Sequence, residues 1–235
     1  MGGSAGDFLP LLPGGIPTSF AAMRIRYFLP FIFLLSVAVS AIAGSDDGKA
    51  TTAPMIQDPL SKGVAEVEVL GGYWHSPITT GGGHRPEFDY SGVDLRYGIV
   101  LSPMFFGQSA FLRGNVEFLI DGFTDGVVKG AGNYLAGGSV LFRYNFIQPG
   151  SRFIPYLQLG GGGLHSDAAE DYSQRIIGGN FEFILEADLG ARVMLNDRWS
   201  ILLEGSFQHI SNADTAARNV GVNALGGRIG VGWIY

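Results

Sequence analysis

Eight long segments in which apolar and polar residues alternate constrain this chain more than any other feature of its sequence. Successive side chains of a β-strand point to opposite faces, so this alternation predicts strands that each have one apolar face. In the clearest segment, Phe181 and Leu185 share one parity and Glu182 takes the other. The predicted strands are residues 64–74, 90–101, 109–120, 133–146, 152–164, 180–195, 198–210 and 220–235.

Alternation alone fits a water-soluble sandwich or a transmembrane barrel, because both separate apolar and charged side chains onto opposite faces. Segment length favours the barrel. The segments have 11 or more residues, whereas soluble strands usually have about 5 to 6 and a tilted membrane-spanning strand needs about 9 to 11. Charged residues make up only 15% of the chain, against about 25% in soluble domains.

The charged residues within the segments have both signs, as a narrow barrel interior needs if the charges are to neutralise one another by pairing. Thirteen of them fall on the less apolar parity of their own segment. They are Glu66, Glu68, Asp94, Arg96, Arg113, Glu117, Arg143, Glu182, Glu186, Asp188, Arg192, Glu204 and Arg228.

The chain ends with apolar and aromatic residues at alternate positions from Ile229 to Tyr235. This ending resembles the C-terminal sorting signal of bacterial outer-membrane barrels. Long predicted connections alternate with short turns, as in such barrels. The long ones are residues 75–89, 121–132, 165–179 and 211–219. We therefore predict an all-β fold, an eight-stranded antiparallel transmembrane β-barrel of the bacterial outer membrane with both termini in the periplasm.

Residues 23–43 have the pattern of a signal peptide. A basic segment at Met23–Tyr27 precedes an apolar run at Phe28–Val39 and the small-x-small motif that ends at Ala43. The apolar run is too short for a spanning helix, so cleavage after Ala43 is expected. Residues 1–22 are interpreted as a misassigned N-terminal extension, residues 44–63 as a periplasmic arm and residues 64–235 as the barrel.

Several classes of function are excluded by composition. The chain has no Cys, which rules out disulfides and thiolate chemistry, and its formal net charge of −6 argues against nucleic acid as a partner. His75, His84 and His165 lack ligand spacing, so neither a metal nor another cofactor is expected. The glycine run at 160–163 lacks the Lys and Ser/Thr of a phosphate-binding loop and is interpreted as structural.

A polar constellation lies on the last hairpin. His209 and Ser211 are two positions apart at the end of the seventh segment and continue its apolar parity, which in a barrel faces lipid. Asn219 and Asn223 fall on the lipid-facing parity of the eighth segment. Two interpretations remain open on these residues alone: a catalytic pair at the outer-leaflet interface, or ordinary polar residues in a loop.

The run His209-x-Ser211-Asn212, followed by Asn219-x-Gly221-x-Asn223, resembles the lipid A 3-O-deacylase (PagL) family of outer-membrane acyl hydrolases. The resemblance implies an esterase on the outside of an eight-stranded barrel, with its active site facing the outer leaflet. Such an enzyme releases the 3-O-linked 3-hydroxyacyl chain from lipid A of lipopolysaccharide.

The resemblance assigns roles to these residues. Ser211 would be the nucleophile and His209 its general base, because a Ser hydroxyl is weakly nucleophilic until a base takes its proton. The family pattern has Glu where this chain has Asn223, which would orient His209 but stabilise its imidazolium less than a carboxylate. Asn212 and Asn219 would be oxyanion or supporting residues. Asp214 is a weaker candidate acid.

Three functions therefore remain to be separated. The first is lipid A deacylation, the second is hydrolysis of another lipid such as a phospholipid, and the third is a non-enzymatic barrel that acts as a structural protein, adhesin or narrow channel. The expected partners are lipopolysaccharide and the outer-membrane bilayer. The sequence leaves open whether the chain forms a homodimer.

Overall fold

A computed structural model of the chain describes residues 60–76, 87–107 and 110–235. Within these residues, eight antiparallel strands form a closed barrel in which each strand pairs with its neighbours in sequence and β8 pairs with β1. The predicted eight-stranded barrel is confirmed. The strands are β1 (Ala65–His75), β2 (Asp89–Val100), β3 (Gly114–Lys129), β4 (Tyr134–Phe146), β5 (Phe153–Ser166), β6 (Phe181–Met194), β7 (Trp199–Ser211) and β8 (Val222–Ile234).

The upper rim is defined here as the end of the barrel where β1, β3, β5 and β7 finish, and the lower rim as the opposite end. A short 3-10 helix, Ala168–Glu170, lies in the β5–β6 loop at the upper rim. None of the helical structure in the described residues is long and apolar enough to span a membrane.

The prediction of a long loop at residues 121–132 is wrong. Strand β3 continues to Lys129 and leaves only a short turn before β4. Asp121 and Asp125, which look like turn residues, are buried in the barrel interior and continue the alternation of β3. At its other end β3 begins at Gly114, so the connection from β2 is longer than the sequence suggested.

The predicted signal peptide, the extension before it and most of the predicted arm lie outside the described residues. The end of the arm is described from Leu60 onward, and Leu60 is fully buried. Its carbonyl accepts a hydrogen bond from Asn115 Nδ2 at 2.5 Å. Leu60 also packs against Val100, Ile154 and other apolar side chains, so these residues close the lower rim.

Charged side chains fill the middle of the barrel, as the parity of the sequence predicts. All thirteen predicted interior charges are buried, and Arg96, Arg143, Arg192 and Arg228 each lie among carboxylates from several strands. Arg143 Nη1 is 2.5 Å from Glu68 Oε1, and Arg96 Nη1 is 2.7 Å from Glu204 Oε1. Such pairing offsets the cost of removing charges from water. One apolar cluster lies above these charges and another lies below them. Side chains therefore fill the described part of the barrel, which disfavours a channel.

The outward face of the barrel is apolar. Leu95, Leu159, Leu189 and Leu203 are exposed there, which suits contact with lipid chains. The glycine run of β5 lets strands approach closely, since a β-carbon on Gly162 would lie 1.9 Å from the Gly138 carbonyl oxygen. The structural interpretation of the run is confirmed.

Candidate active site

The end of β7 carries the candidate site on the outward face. Along β7 the residues of odd number, such as Leu203 and Phe207, are exposed, whereas those of even number are buried. His209 and Ser211 continue the exposed parity and are partly exposed, while Ile210 between them is buried. Because side chains two residues apart in a strand share a face, both polar groups emerge from the outside of the barrel at the upper rim.

The register of the last two strands pairs His209 with Asn223. The two residues lie directly opposite each other between β7 and β8, and His209 Nδ1 is 2.7 Å from Asn223 Oδ1. Since the amide oxygen is an acceptor, Nδ1 carries the proton and donates it to Asn223. This tautomer leaves Nε2 with a lone pair, which is the form that a general base requires.

Ser211 lies beside His209 around Gly221. A β-carbon on Gly221 would be 3.5 Å from His209 Cε1 and 3.6 Å from Ser211 Cβ. Gly221 has φ +74°, a conformation that favours glycine. Among the described residues, the Ser211 hydroxyl makes no hydrogen bond, to His209 or to any other group. Catalytic hydrogen bonds are often long in the absence of substrate and tighten when it binds.

Apolar side chains surround the polar pair on the outward face. On β6, Leu185 lies opposite His209 and Phe183 lies opposite Ser211. Phe207 and Leu225, which face each other between β7 and β8, lie beneath the pair. All four are exposed. A nucleophile and base set into such a surface can meet an ester whose acyl chain remains in the hydrocarbon of the membrane.

The β7–β8 loop is held together by the two other predicted site residues. Asn219 Oδ1 accepts from the Asn212 backbone N–H at 3.0 Å, and Asn219 Nδ2 donates to Asp214 Oδ1 at 2.8 Å. Asn212 is fully buried, and its Nδ2 donates to the Arg218 carbonyl at 2.8 Å. The Asn212 side chain therefore supports the loop rather than facing lipid, and Asp214 contacts Asn219 rather than His209.

Arg218 joins this loop to the β5–β6 loop and was missed by the sequence analysis. Its guanidinium donates to the carbonyls of Asp171 at 2.8 Å, Gln174 at 3.1 Å and Ala169 at 2.6 Å. The Gly221 backbone N–H also donates to the Ile176 carbonyl at 2.9 Å. The β5–β6 loop thus braces the backbone on which His209 and Ser211 meet. Backbone partners leave no mark in a sequence, so no signal could have found this arginine.

The remaining histidines lie apart from this pair. His165 contacts the Tyr134 hydroxyl at 3.0 Å and stacks on its ring. His75 contacts Asp89 at 2.7 Å, and His84 lies outside the described residues. Within the described ranges, no three His, Asp or Glu side chains are grouped as metal ligands.

Comparison with protein families decides which kind of barrel this is. A family model described as lipid A 3-O-deacylase (PagL) matches residues 92–232, more than half of the chain. The chain belongs to this family. Membership supports its placement in the outer membrane and its relation to enzymes that deacylate lipid A. The resemblance stated from the sequence is confirmed at the level of the family.

Other comparisons add little to the PagL family match. No curated protein matches the chain. The structure is similar to that of the outer membrane enzyme PagL, with 17% identity, a TM-score of 0.44 and coverage of 70% of this chain and 97% of that one. It is also similar to OprG from Pseudomonas aeruginosa, with 15% identity, a TM-score of 0.41 and coverage of 75% and 98%. Such low similarities say nothing about chemistry.

Proposed function

We propose that this member of the PagL family removes the 3-O-linked 3-hydroxyacyl chain from lipid A by a Ser-His mechanism. Ser211 is the nucleophile, His209 is the general base and Asn223 holds the His209 ring. The observation that carries this proposal is the 2.7 Å contact from His209 Nδ1 to Asn223 Oδ1. It leaves Nε2 free on the same outward face as the Ser211 hydroxyl.

The reaction follows from these positions. Ser211 Oγ attacks the ester carbonyl carbon and gives its proton to His209 Nε2. The attack converts the ester carbonyl into a tetrahedral intermediate with a negative oxygen. Collapse of the intermediate breaks the bond to the sugar oxygen, which takes the proton from Nε2 and leaves as the free 3-hydroxyl group. A water molecule, deprotonated by His209, then attacks the acyl-Ser211 ester. The products are a 3-hydroxy fatty acid and the original Ser211 hydroxyl.

The tetrahedral oxygen needs a hydrogen-bond donor. Asn219 is the candidate, because its Nδ2 donates one hydrogen to Asp214 and carries a second. Asn212 is assigned a supporting role, since its buried side chain is bonded to the Arg218 carbonyl. Loss of a single oxyanion donor in a hydrolase slows kcat by about 10²–10³-fold, so Asn219→Ala should show a defect of this size.

The site faces the outer leaflet in this proposal. His209 and Ser211 lie at the end of β7, ten or more residues along the sheet from Trp199 at the lower rim. A strand rise of about 3.3 Å per residue supports a position near one membrane interface, where an ester at the base of an acyl chain is found. The apolar neighbours Phe183 and Leu185 then contact the acyl chain.

Mass spectrometry of lipid A tests the proposal. Purified lipid A is incubated in detergent with wild-type protein, Ser211→Ala or His209→Ala, each first shown to be folded by heat-modifiable migration on gels. The wild type should release one 3-hydroxy fatty acid, whereas both variants should release none. Ser206→Ala is a matched control, because Ser206 lies on the same strand but points into the barrel.

Different results would point to the other functions. Release from a phospholipid but not from lipid A would indicate an acyl hydrolase with another substrate. A folded wild-type protein that leaves both lipids intact would contradict the enzymatic proposal and favour a non-enzymatic barrel. Full activity in the folded Ser211→Ala protein would show that the assigned nucleophile is wrong.

A further inference from the structure

A second polar cluster lies on the outward face at the upper rim, on β1 and β2. Asp89 is almost fully buried and accepts three hydrogen bonds. Its partners are His75 Nδ1 at 2.7 Å, the Tyr73 hydroxyl at 3.0 Å and the Ser76 backbone N–H at 3.4 Å. Both carboxylate oxygens are therefore engaged, and one of them fixes Nδ1 of His75 as the protonated nitrogen.

This arrangement leaves two groups of the cluster open to the outside. The His75 side chain is 46% exposed, and within the described residues its Nε2 has no partner. Tyr73 is also exposed, so its ring offers a face while its hydroxyl is held by Asp89. An outward-facing acceptor near lipid costs free energy unless another group donates to it. The cluster therefore has the capacity to bind one further donor group.

Strand register places this cluster next to the candidate active site. His75 is the last residue of β1, as Ser211 is the last residue of β7, so both lie at the upper rim. Across β8, His75 pairs with Leu225, which is two residues from Asn223 and on the same face. Diagonal neighbours of this kind are about 7–8 Å apart. The two histidines, on β1 and β7, are two strand spacings apart and offset by two residues along the strands, roughly 12 Å in all.

We propose that Tyr73, His75 and Asp89 form a subsite for the sugar headgroup of the substrate lipid. His75 Nε2 accepts a hydrogen bond from a sugar hydroxyl, and the Tyr73 ring packs against the sugar. With Nδ1 bonded to Asp89, the exposed Nε2 offers a hydrogen-bond acceptor, so a hydroxyl donor is the ligand that this geometry favours. The inference rests on the proposed function, because the acyl ester of the same lipid must reach Ser211.

The subsite explains how a lipid with a sugar headgroup would be preferred over other esters. A site that hydrogen-bonds a hydroxyl discriminates against substrates that lack it, because its own polar group is then left unpaired. The acyl chain gives little such discrimination, since the side chains around Ser211 are apolar. Binding at His75 would thus select the headgroup, while His209 and Ser211 act on any ester that reaches them.

Kinetics on two substrates test this proposal. Lipid A carries the sugar, whereas p-nitrophenyl decanoate in the same detergent does not. In His75→Phe, KM for lipid A should rise about tenfold, the value of one hydrogen bond, with kcat unchanged and both parameters for the nitrophenyl ester unchanged. His75→Gln, which restores an acceptor, should recover most of the loss. His165→Phe makes the same substitution at the end of β5 and should have no effect.

A binding measurement separates this inference from the catalytic proposal. Isothermal titration of lipid A into Ser211→Ala, with and without His75→Phe, reports the subsite even if the chain has no deacylase activity. We expect about tenfold weaker binding in the double variant. Equal binding by both proteins, or an equal rise in KM for both esters in His75→Phe, would overturn the subsite. If the wild-type protein does not hydrolyse lipid A but the difference in binding is observed, only the proposed function would be overturned.

Discussion

Replacement of Asn223 tests the residue that we propose holds the His209 ring. Asn223→Asp keeps the size and shape of the side chain and the 2.7 Å contact with His209 Nδ1, but adds a negative charge. Asn223→Leu removes the acceptor and preserves the volume. The first variant changes the electrostatics of the pair, and the second removes the group that fixes the tautomer and orientation of the ring.

The size of each effect follows from the hydrogen bond. A bond between neutral groups contributes about 0.5–1.5 kcal/mol and a bond to a charged group about 1.5–3 kcal/mol. The transition state carries an imidazolium, so the added charge should lower the barrier by about 1–1.5 kcal/mol, or about tenfold in kcat. The cost of a carboxylate on the outer face is small near the interface, about 0–1 kcal/mol. Asn223→Leu should reduce kcat by at least about tenfold.

The assay is the initial rate of 3-hydroxy fatty acid release from lipid A, measured by mass spectrometry at saturating substrate. Heat-modifiable migration on gels controls for folding of both variants. Wild-type kcat in a folded Asn223→Leu protein would show that this residue does not orient His209. A lower kcat in a folded Asn223→Asp protein would refute the argument that a carboxylate at this position stabilises the His209 imidazolium and speeds the reaction.

Three other perturbations test how the site is supported. Gly221→Ala should lower Tm and kcat, because a φ of +74° costs a residue with a β-carbon about 1–2 kcal/mol. Gly205→Ala is the control and should change neither, because a β-carbon there would meet no atom closer than 3.9 Å. Arg218→Ala should speed hydrogen exchange at the Gly221 amide and lower kcat about tenfold without changing barrel Tm. Arg175→Ala, at an exposed site on the β5–β6 loop that Arg218 contacts, should change neither the exchange rate nor kcat. Burial raises the pKa of Asp167, but hydrogen bonds from Asn133 and Tyr134 outweigh it and hold that pKa below its ordinary value. Its stabilisation is present above about pH 3.9 and is lost as the pH falls through the lower folded value, so Asp167→Asn should reduce amide protection of Asn133 at pH 7 and match the wild type in strong acid.

Alternation predicted the barrel well because its period does not depend on where a strand ends. The same parity that separated Leu203 from Glu204 also predicted that His209 and Ser211 face outward. Strand ends were harder to predict. Asp121 and Asp125 have the composition of a turn, yet both continue β3 with buried side chains, and Arg96 donates a hydrogen bond to Asp121 at 3.2 Å.

Parity also indicates on which side of the sheet Asn212 lies. Its even number puts it on the same inward face as Ile210, and both are buried. The support given by Arg218 had no comparable signal. Its partners are backbone carbonyls of a loop more than forty residues earlier in the chain, and backbone groups have the same chemistry in every residue. Only the folded arrangement of the two loops identifies such a residue.

Covalent labelling at Ser211 tests whether His209 activates this serine as a nucleophile. The folded barrel is treated with an alkyl fluorophosphonate, which reacts with activated serines, and the labelled residue is identified by mass spectrometry of peptides. The account predicts one phosphonate on Ser211 in the wild-type protein and none in folded His209→Ala. Labelling of a different serine, or undiminished labelling of Ser211 in the absence of His209, would contradict it.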